Sequence, residues 1–404
     1  MNPQTQQAGR ARLPTLFLVG ITTAGLWIQT GTTRAQSFSF DSGNDTGWTR
    51  YEPLKAFGIN ASFTFPSGAY RIQMNPPPDP SVFGPARAGS FFPAAQFERV
   101  QVEADVFGWD NSQVQSVGLV ARAGNLGPGT TTGYTFNYNA RSGFHQITLV
   151  NNELPAAQVN ESLFRLNPDH RYRFVFTAAG PNLLGQAFAS TNLTVPLHSV
   201  AGRDSSHASG RTGVFAFAIE DTSRIDGRFD NFRVSVPGKL RATFLDATPA
   251  SGEVFAEPAG TVVVRLAHLE TAVLPETIRL EIDGKAAAFD LVDLDPILIL
   301  THTPDAPLDP AKAHAGRIRF SDADGEQSVS WAFGAPAPAG PMLLSASLVE
   351  GPYSPDTTGT LDAGAGTISI PVPASTRYYR LSGSGAPTIS SVSQSDGVLR
   401  LGFR

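Results

Sequence analysis

The chain of 404 residues holds 39 Gly and 31 Pro, with 16% charged and 41% hydrophobic residues, a density of punctuation that excludes a bundle of long helices. Its length suits two or three domains of roughly 100–200 residues, and an aromatic share of 10%, led by 27 Phe, favours pleated, half-buried strands over disorder. A formal charge of −5 without a basic stripe disfavours a nucleic-acid partner, and the lack of cysteine removes disulfides, thiolate nucleophiles and Cys-ligated metals.

At the amino end, Arg10 and Arg12 precede an apolar run from Leu13 to Ile28, and Thr33-Arg34-Ala35 offers small residues at the two positions a signal peptidase reads. Residues 1–35 are expected to be a secretory signal peptide, whose removal takes away Arg10, Arg12 and Arg34 and leaves a more acidic chain from Gln36. No later segment is expected to span a bilayer. An exported chain without disulfides points to a bacterial protein, secreted or held at the cell surface.

From Phe38 to Val236 short strands alternate with turn signals. They are expected at Ala61–Phe65, Ala69–Gln73, Phe97–Phe107, Ser116–Ala123, Tyr134–Tyr138, His145–Val150, Tyr172–Thr177, Leu184–Ala189, Val214–Ala218 and Phe229–Val236, which suits a jelly-roll β-sandwich over residues 36–237. Pro76-Pro77-Pro78 and Leu126-Gly127-Pro128-Gly129 mark stiff surface loops. Pro237-Gly238 is a boundary. Residues 238–334 then repeat the pattern, with hairpin turns at Asp283-Gly284 and Asp324-Gly325, and suit an immunoglobulin-like sandwich in which Trp331 fills the core in place of a Cys pair. A Pro/Ala-rich linker, 335–341, leads to a small β-module, 342–404, whose last strand-like stretch could pair locally or with the second domain.

Three stretches of the first domain carry a resemblance: Phe40-Asp41-Ser42-Gly43-Asn44-Asp45-Thr46-Gly47-Trp48, Val117-Gly118-Leu119-Val120-Ala121-Arg122, and Gly213-Val214-Phe215-Ala216-Phe217 leading to Phe229-Asp230-Asn231-Phe232-Arg233-Val234. In these it resembles the concanavalin A-like, laminin-G-like jelly rolls of exported bacterial proteins, over about half the chain; such sandwiches include lectins, adhesion modules, glycosidases and spacers. The later domains resemble the Ig-like spacers and small C-terminal β-modules of large surface proteins, which implies a spacer and a stalk.

Strand alternation places Glu103 and Asp105 on one face, opposite Val102, Ala104 and Val106. Laminarinase-like glycosidases of this fold use Glu, any residue, Asp, two more residues, then Glu; here Gly108 stands in the last place, and retaining hydrolysis needs a carboxyl pair about 5–5.5 Å apart. Glu103 and Asp105 are therefore expected to be solvent-facing strand acids, and no catalytic residue is assigned. By fold analogy, an enzyme acting on oxidised disaccharides would draw on these acids and a His such as His145. The seven His show no zinc-ligand spacing, and no Gly-x-Ser-x-Gly elbow or phosphate-cradling loop is present.

Asp41, Asn44 and Asp45 near the start of the jelly roll, with Asp226, Asp230 and Asn231 near its end, could hold a structural Ca²⁺ if first and last strands are neighbours; turn-forming Asp and Asn are the competing explanation. Asp322-Ala323-Asp324-Gly325 lacks the final Glu of a calcium loop, Phe333 standing there, and is expected to be a hairpin turn. For sugar binding, Tyr134, Phe136 and Tyr138 share one strand face and Thr135, Asn137 and Asn139 the other. Aromatic rings beside amides and an arginine suit carbohydrate recognition. The candidate ligand residues are thus Arg122, Tyr134, Asn137, Tyr138 and Asn139, and if the rings lie inside, Asn137, Asn139 and Arg122 remain. The expectation is a non-catalytic protein that binds polysaccharide or a cell-surface glycan, with a glycan-processing hydrolase or a purely structural surface protein as alternatives.

Overall fold

Within Arg99–Phe107, Val100, Val102, Ala104 and Val106 have no accessible surface while Gln101 and Glu103 are half-buried on the other side, the period-two signature of a strand with one face inside. The computed structural model describes residues 35–93, 96–255, 258–334, 342–346, 354–355, 358–362, 366–373, 377–382, 388–395 and 397–403. The expected signal peptide, apart from its last residue, and the linker 335–341 lie outside the described residues. Among these, no helix is long and apolar enough to cross a membrane, and the one α-helix is the four-residue Pro80–Phe83.

The protein is all-β, and its first domain is a jelly-roll sandwich of two antiparallel sheets. One sheet runs, in spatial order, His198–Arg203, Asn182–Ala189, Tyr172–Ala179, Arg99–Phe107, Ile225–Ser235, Tyr70–Met74 and Ser62–Thr64, with Gln36–Phe38 also paired to Ile225–Ser235, so first and last strands are neighbours. The other runs Leu154–Leu163, Phe144–Asn151, Thr132–Asn139, Gln115–Gly124, Arg211–Ala218, Arg87–Phe91 and Thr49–Tyr51. Between them Tyr134, Phe136, Phe174, Phe176 and Phe229 are fully buried. The amino-terminal motif is explained by the same core: Phe40 stacks on Tyr70 with ring centroids 4.7 Å apart, and Trp48 meets Phe232 edge-on at 4.7 Å.

The second domain is a sandwich of two four-stranded sheets, Thr243–Thr248, Val262–Ala267, Ile297–His302, Asp290–Leu294 and Lys285–Ala287, Leu274–Ile282, Ala313–Asp322, Gly325–Gly334. Trp331 is buried in its core and lies over Gly316, where a Cβ would come within 2.2 Å of the indole. Asp283 (φ 51°) and Gly284 (φ 74°) make the expected tight turn. The second hairpin sits one residue earlier than expected, because Asp322 pairs with Gly325 and Ala323-Asp324 form the loop.

The two sandwiches share a seam. Leu184 and Ala201 of the first are buried with Leu245, Ala267 and Leu269 of the second. Ser199 Oγ donates to Leu245 O at 2.6 Å, Arg99 makes a bidentate pair with Glu270 at 2.7 Å, and Arg203 pairs with Asp295. Beneath these contacts Asp246 takes both Arg265 and His198. In the carboxyl-terminal part the last strand, Val398–Phe403, pairs locally with Thr367–Pro371 and Ile389–Ser395.

Candidate functional site

The outer face of the seven-stranded sheet is built from residue rows that cross it strand by strand. Tyr51, Gly89, Phe215, Gly118, Asn137 and Gln146 occupy one row, and Phe91, Gly213, Val120, Thr135, Thr148 and Gln158 the next. Three row positions are glycine because the backbones approach closely there: a Cβ would lie 2.1 Å from Phe136 O at Gly118, 2.1 Å from Ser90 O at Gly213 and 2.8 Å from Val214 O at Gly89. The sheet curls until side chains from its two edges meet, Tyr51 on one edge strand and Glu153 in the turn beside the other.

This curl encloses a cavity of about 280 Å³ whose floor and sides include Phe91, Phe215, Phe217, Val120, Asn137, Asn139, Gln146 and Thr148. A polar ladder crosses it: Thr135 Oγ1 donates to Asn137 Oδ1 at 3.0 Å, and Asn137 Nδ2 donates to Ser116 Oγ at 3.2 Å and Gln146 Oε1 at 3.0 Å. Gln146 in turn donates to Glu161 at 2.8 Å. Amides fixed in this way present preset donors and acceptors beside aromatic rings.

At one end Glu153 is the centre of a clasp. Its carboxylate receives Arg87 Nε at 2.7 Å, Arg87 Nη2 at 3.0 Å, Tyr51 Oη at 2.6 Å and Gly129 N at 2.7 Å. Burial alone would raise the Glu153 pKa, but Arg87, the Gly129 N–H and the Tyr51 hydroxyl together hold it below the usual carboxylate value. Burial, then the adjacent Glu153, pushes the Tyr51 hydroxyl up. Asn152 (φ 51°) and Glu153 (φ 67°) both lie in the left-handed region, an unfavourable conformation for a residue like Glu.

The residues singled out from sequence divide sharply. Tyr134 (0% exposed) and Tyr138 (1%) face the core, so the expected aromatic platform is interior packing. Their hydroxyls serve the fold, Tyr134 donating to Asp204 and Tyr138 to Leu166 O at 3.4 Å. Arg122 is also interior at 2% exposure, donating to the carbonyls of Glu98, Gly180 and His207, and is corrected from a surface candidate to a structural cation. Asn137 and Asn139 do line the cavity; Asn139 Oδ1 accepts from the backbone of Arg141 and Ser142 and so shapes the next turn.

The calcium clamp weighed against turn-forming Asp and Asn is not assembled among the described residues. Asp45 pairs with Arg50 and accepts from Tyr70, Asp226 pairs with Arg71 and Gln73, and Asp230 pairs with Arg171, while Asn44 bonds Ser42 and Thr46 within its own turn. Arginines supply the positive charge a cation would bring. Asp41 lies against Gly68, where a Cβ would stand 2.8 Å from its Oδ1. Among the described residues no group of three or more His, Asp or Glu is placed to hold a metal ion. Glu103 and Asp105 share a face as expected, on the opposite sheet from the cavity, but they are not solvent-facing: Asp105 is buried, Glu103 is half-buried, and Arg173 pairs with both. Asp322 pairs with Arg241 and accepts from Thr271 and from Asp324 N, a hairpin turn as expected.

Sequence reasoning missed Tyr51, Arg87, Phe91, Gln146, Glu153, Phe215 and Phe217. For Phe215 and Phe217 a signal existed, since alternation with the buried Val214 and Ala216 places both on the outer face.

No protein-family model matches this chain, and no curated protein matches it. Solved structures similar to it include a carbohydrate-binding module from Bacillus subtilis, at 14% identity and a TM-score of 0.36, covering 48% of this chain and 97% of that one. Lectin II from Ulex europaeus follows at 8% identity and 0.35, covering 51% and 99%. A Bacillus licheniformis β-glucanase stands at 9% identity and 0.36, covering 52% and 100%. At such identities and scores none of them assigns a function here.

Proposed function

We propose that this is an exported protein that binds carbohydrate in the curled face of its jelly roll. The cavity is the observation that carries this reading: the half-buried rings of Phe215 and Phe217 offer apolar surface for the faces of sugar rings, and the Ser116, Asn137 and Gln146 ladder offers fixed groups for hydroxyls. Binding rather than hydrolysis is favoured because Glu153, the one carboxylate among the described residues lining the cavity, is committed to Arg87, whereas glycoside hydrolysis asks for two carboxyls in separate roles.

The test is retention of the full chain on a polysaccharide and glycan array, scored for product release as well. Glycan capture without released sugar is expected. Phe215→Ala and Asn137→Ala are each expected to weaken that capture about tenfold, the loss of one ring contact or one set of hydrogen bonds. Release of sugars would replace this reading with a glycan-processing one, and capture unaffected by both substitutions would move the site elsewhere.

A further inference from the structure

We infer that the curled face recognises the end of a glycan chain and not its interior, a specificity set by the wall that Tyr51 and Glu153 raise across the groove. This rests on the carbohydrate reading above and names the class of ligand within it.

Two depressions adjoin on this face, of about 280 and about 210 Å³, and both are lined by Tyr51 and Phe91. What divides them is a hydrogen-bonded partition. Tyr51 Oη lies 2.7 Å from Thr131 Oγ1 and donates to Glu153 at 2.6 Å, and Thr131 Oγ1 also accepts from Gly127 N at 3.1 Å. The larger depression has Thr131, Glu153 and Arg87 on its side of the partition; the smaller has Leu126, Gly127 and Pro128 on the other. The stiff Leu126–Gly129 loop thus acts as masonry.

The partition is built into the fold. It ties the edge strand Thr49–Tyr51 to the turn that enters the opposite edge strand, Leu154–Leu163, across the full width of the sheet. It holds Glu153, whose side chain is 8% exposed, in a left-handed backbone conformation that a Gly would occupy more readily. It also spends the whole carboxylate on Arg87, Tyr51 and Gly129, which leaves Glu153 fixed as a post. A polysaccharide lying along an open groove needs a way in and a way out. Here the partition stands across one end, and the remaining volume of about 280 Å³ lies just below the range of roughly 300–1,000 Å³ for small-molecule pockets, which suits the end of a chain better than a long run of it.

The test is isothermal titration of the full chain with cello-, laminari-, xylo- and manno-oligosaccharides of increasing length and with the parent soluble polymers. For the series that binds, one protein per chain is expected at every length, with Kd per mole of chain changing less than about threefold between trimer and hexamer. Tyr51→Ala, which removes the shared ring, is expected to let protein bound per chain rise with length, while Tyr51→Phe, which keeps the ring, retains one per chain. Should Tyr51→Ala not fold, the unmodified chain and Tyr51→Phe still decide the matter. A protein count that rises with length in the unmodified chain overturns end recognition and leaves carbohydrate binding standing. Failure to bind any of these glycans overturns both.

Discussion

His145 has no accessible surface, and burial, reinforced by the neighbouring His198, holds its imidazole well below the usual histidine pKa. Folding keeps it neutral where the unfolded chain would take up a proton, so its stabilisation is intact above about pH 6.5 and declines as the pH falls below that. Burial would raise Asp246, but Arg265 and then His198 hold it at about 2. Its stabilisation is intact above about pH 4 and is lost as the pH drops toward its folded value. The unfolding free energy of the full chain is therefore expected to fall below about pH 6.5, ahead of carboxylate titration, by up to about 1.4 kcal/mol per pH unit for the one proton involved, and the Tm to fall with it. His145→Gln should flatten that limb, and a wild-type Tm level down to about pH 4 would contradict the account. At this scale the sequence was readable for faces and not for sides. Period two separates Tyr134 and Tyr138 from Asn137 and Asn139, but a single strand does not say which set looks inward. Arg122 is misread for a related reason: arginine is rarely buried, and the three carbonyls that accept it come from Glu98, Gly180 and His207, far apart in the chain.

Among the elements, most strands that fill the core were legible, and so was the edge strand Ser62–Thr64, but the edge strands Leu154–Leu163, Thr49–Tyr51 and His198–Arg203 and the interior strand Arg87–Phe91 were not. The strand Leu154–Leu163 escaped notice because it is exposed along most of its length, carries Pro155 and contains two register shifts against its neighbour, features of an edge and not of an interior strand. Its turn is equally silent, since Asn152-Glu153 lacks the Gly that signals a tight hairpin. Arg87–Phe91, with Gly89 at its centre, hides behind the proline-rich loop before it. The curl that makes the cavity depends on those glycines. Gly118→Val would place a side chain where even a Cβ stands 2.1 Å from Phe136 O and 2.7 Å from Asn137 Cα, both backbone atoms. A loss of about 3–5 kcal/mol is expected in denaturant unfolding, within the range for severe overpacking or backbone strain. A Gly118→Val protein with wild-type stability would show that the strands can part there without penalty.

For the whole molecule, the seam binds the first sandwich closely to the second, the domain read from sequence as a spacer. A Pro-Gly boundary looks like a flexible joint, yet Arg99 Nη1 and Nη2 reach Glu270 while the same guanidinium holds the Gly238 carbonyl, so the joint is clamped. Nothing in either domain's own pattern announces this, because the partners lie more than a hundred residues apart. Calorimetry should show the two sandwiches melting in a single transition. Arg265→Ala, which leaves Asp246 buried without its principal counter-charge, is expected to cost about 3–5 kcal/mol and to split that transition in two. Two resolved transitions in the unmodified chain would mean that the seam does not couple them. The clamp also governs how a ligand is met. A cavity carried on a hinge would forfeit the hinge's freedom whenever a bulky glycan restrained both domains, whereas here that freedom was surrendered during folding, so the entropy lost on capture falls on the sugar and the few side chains around it.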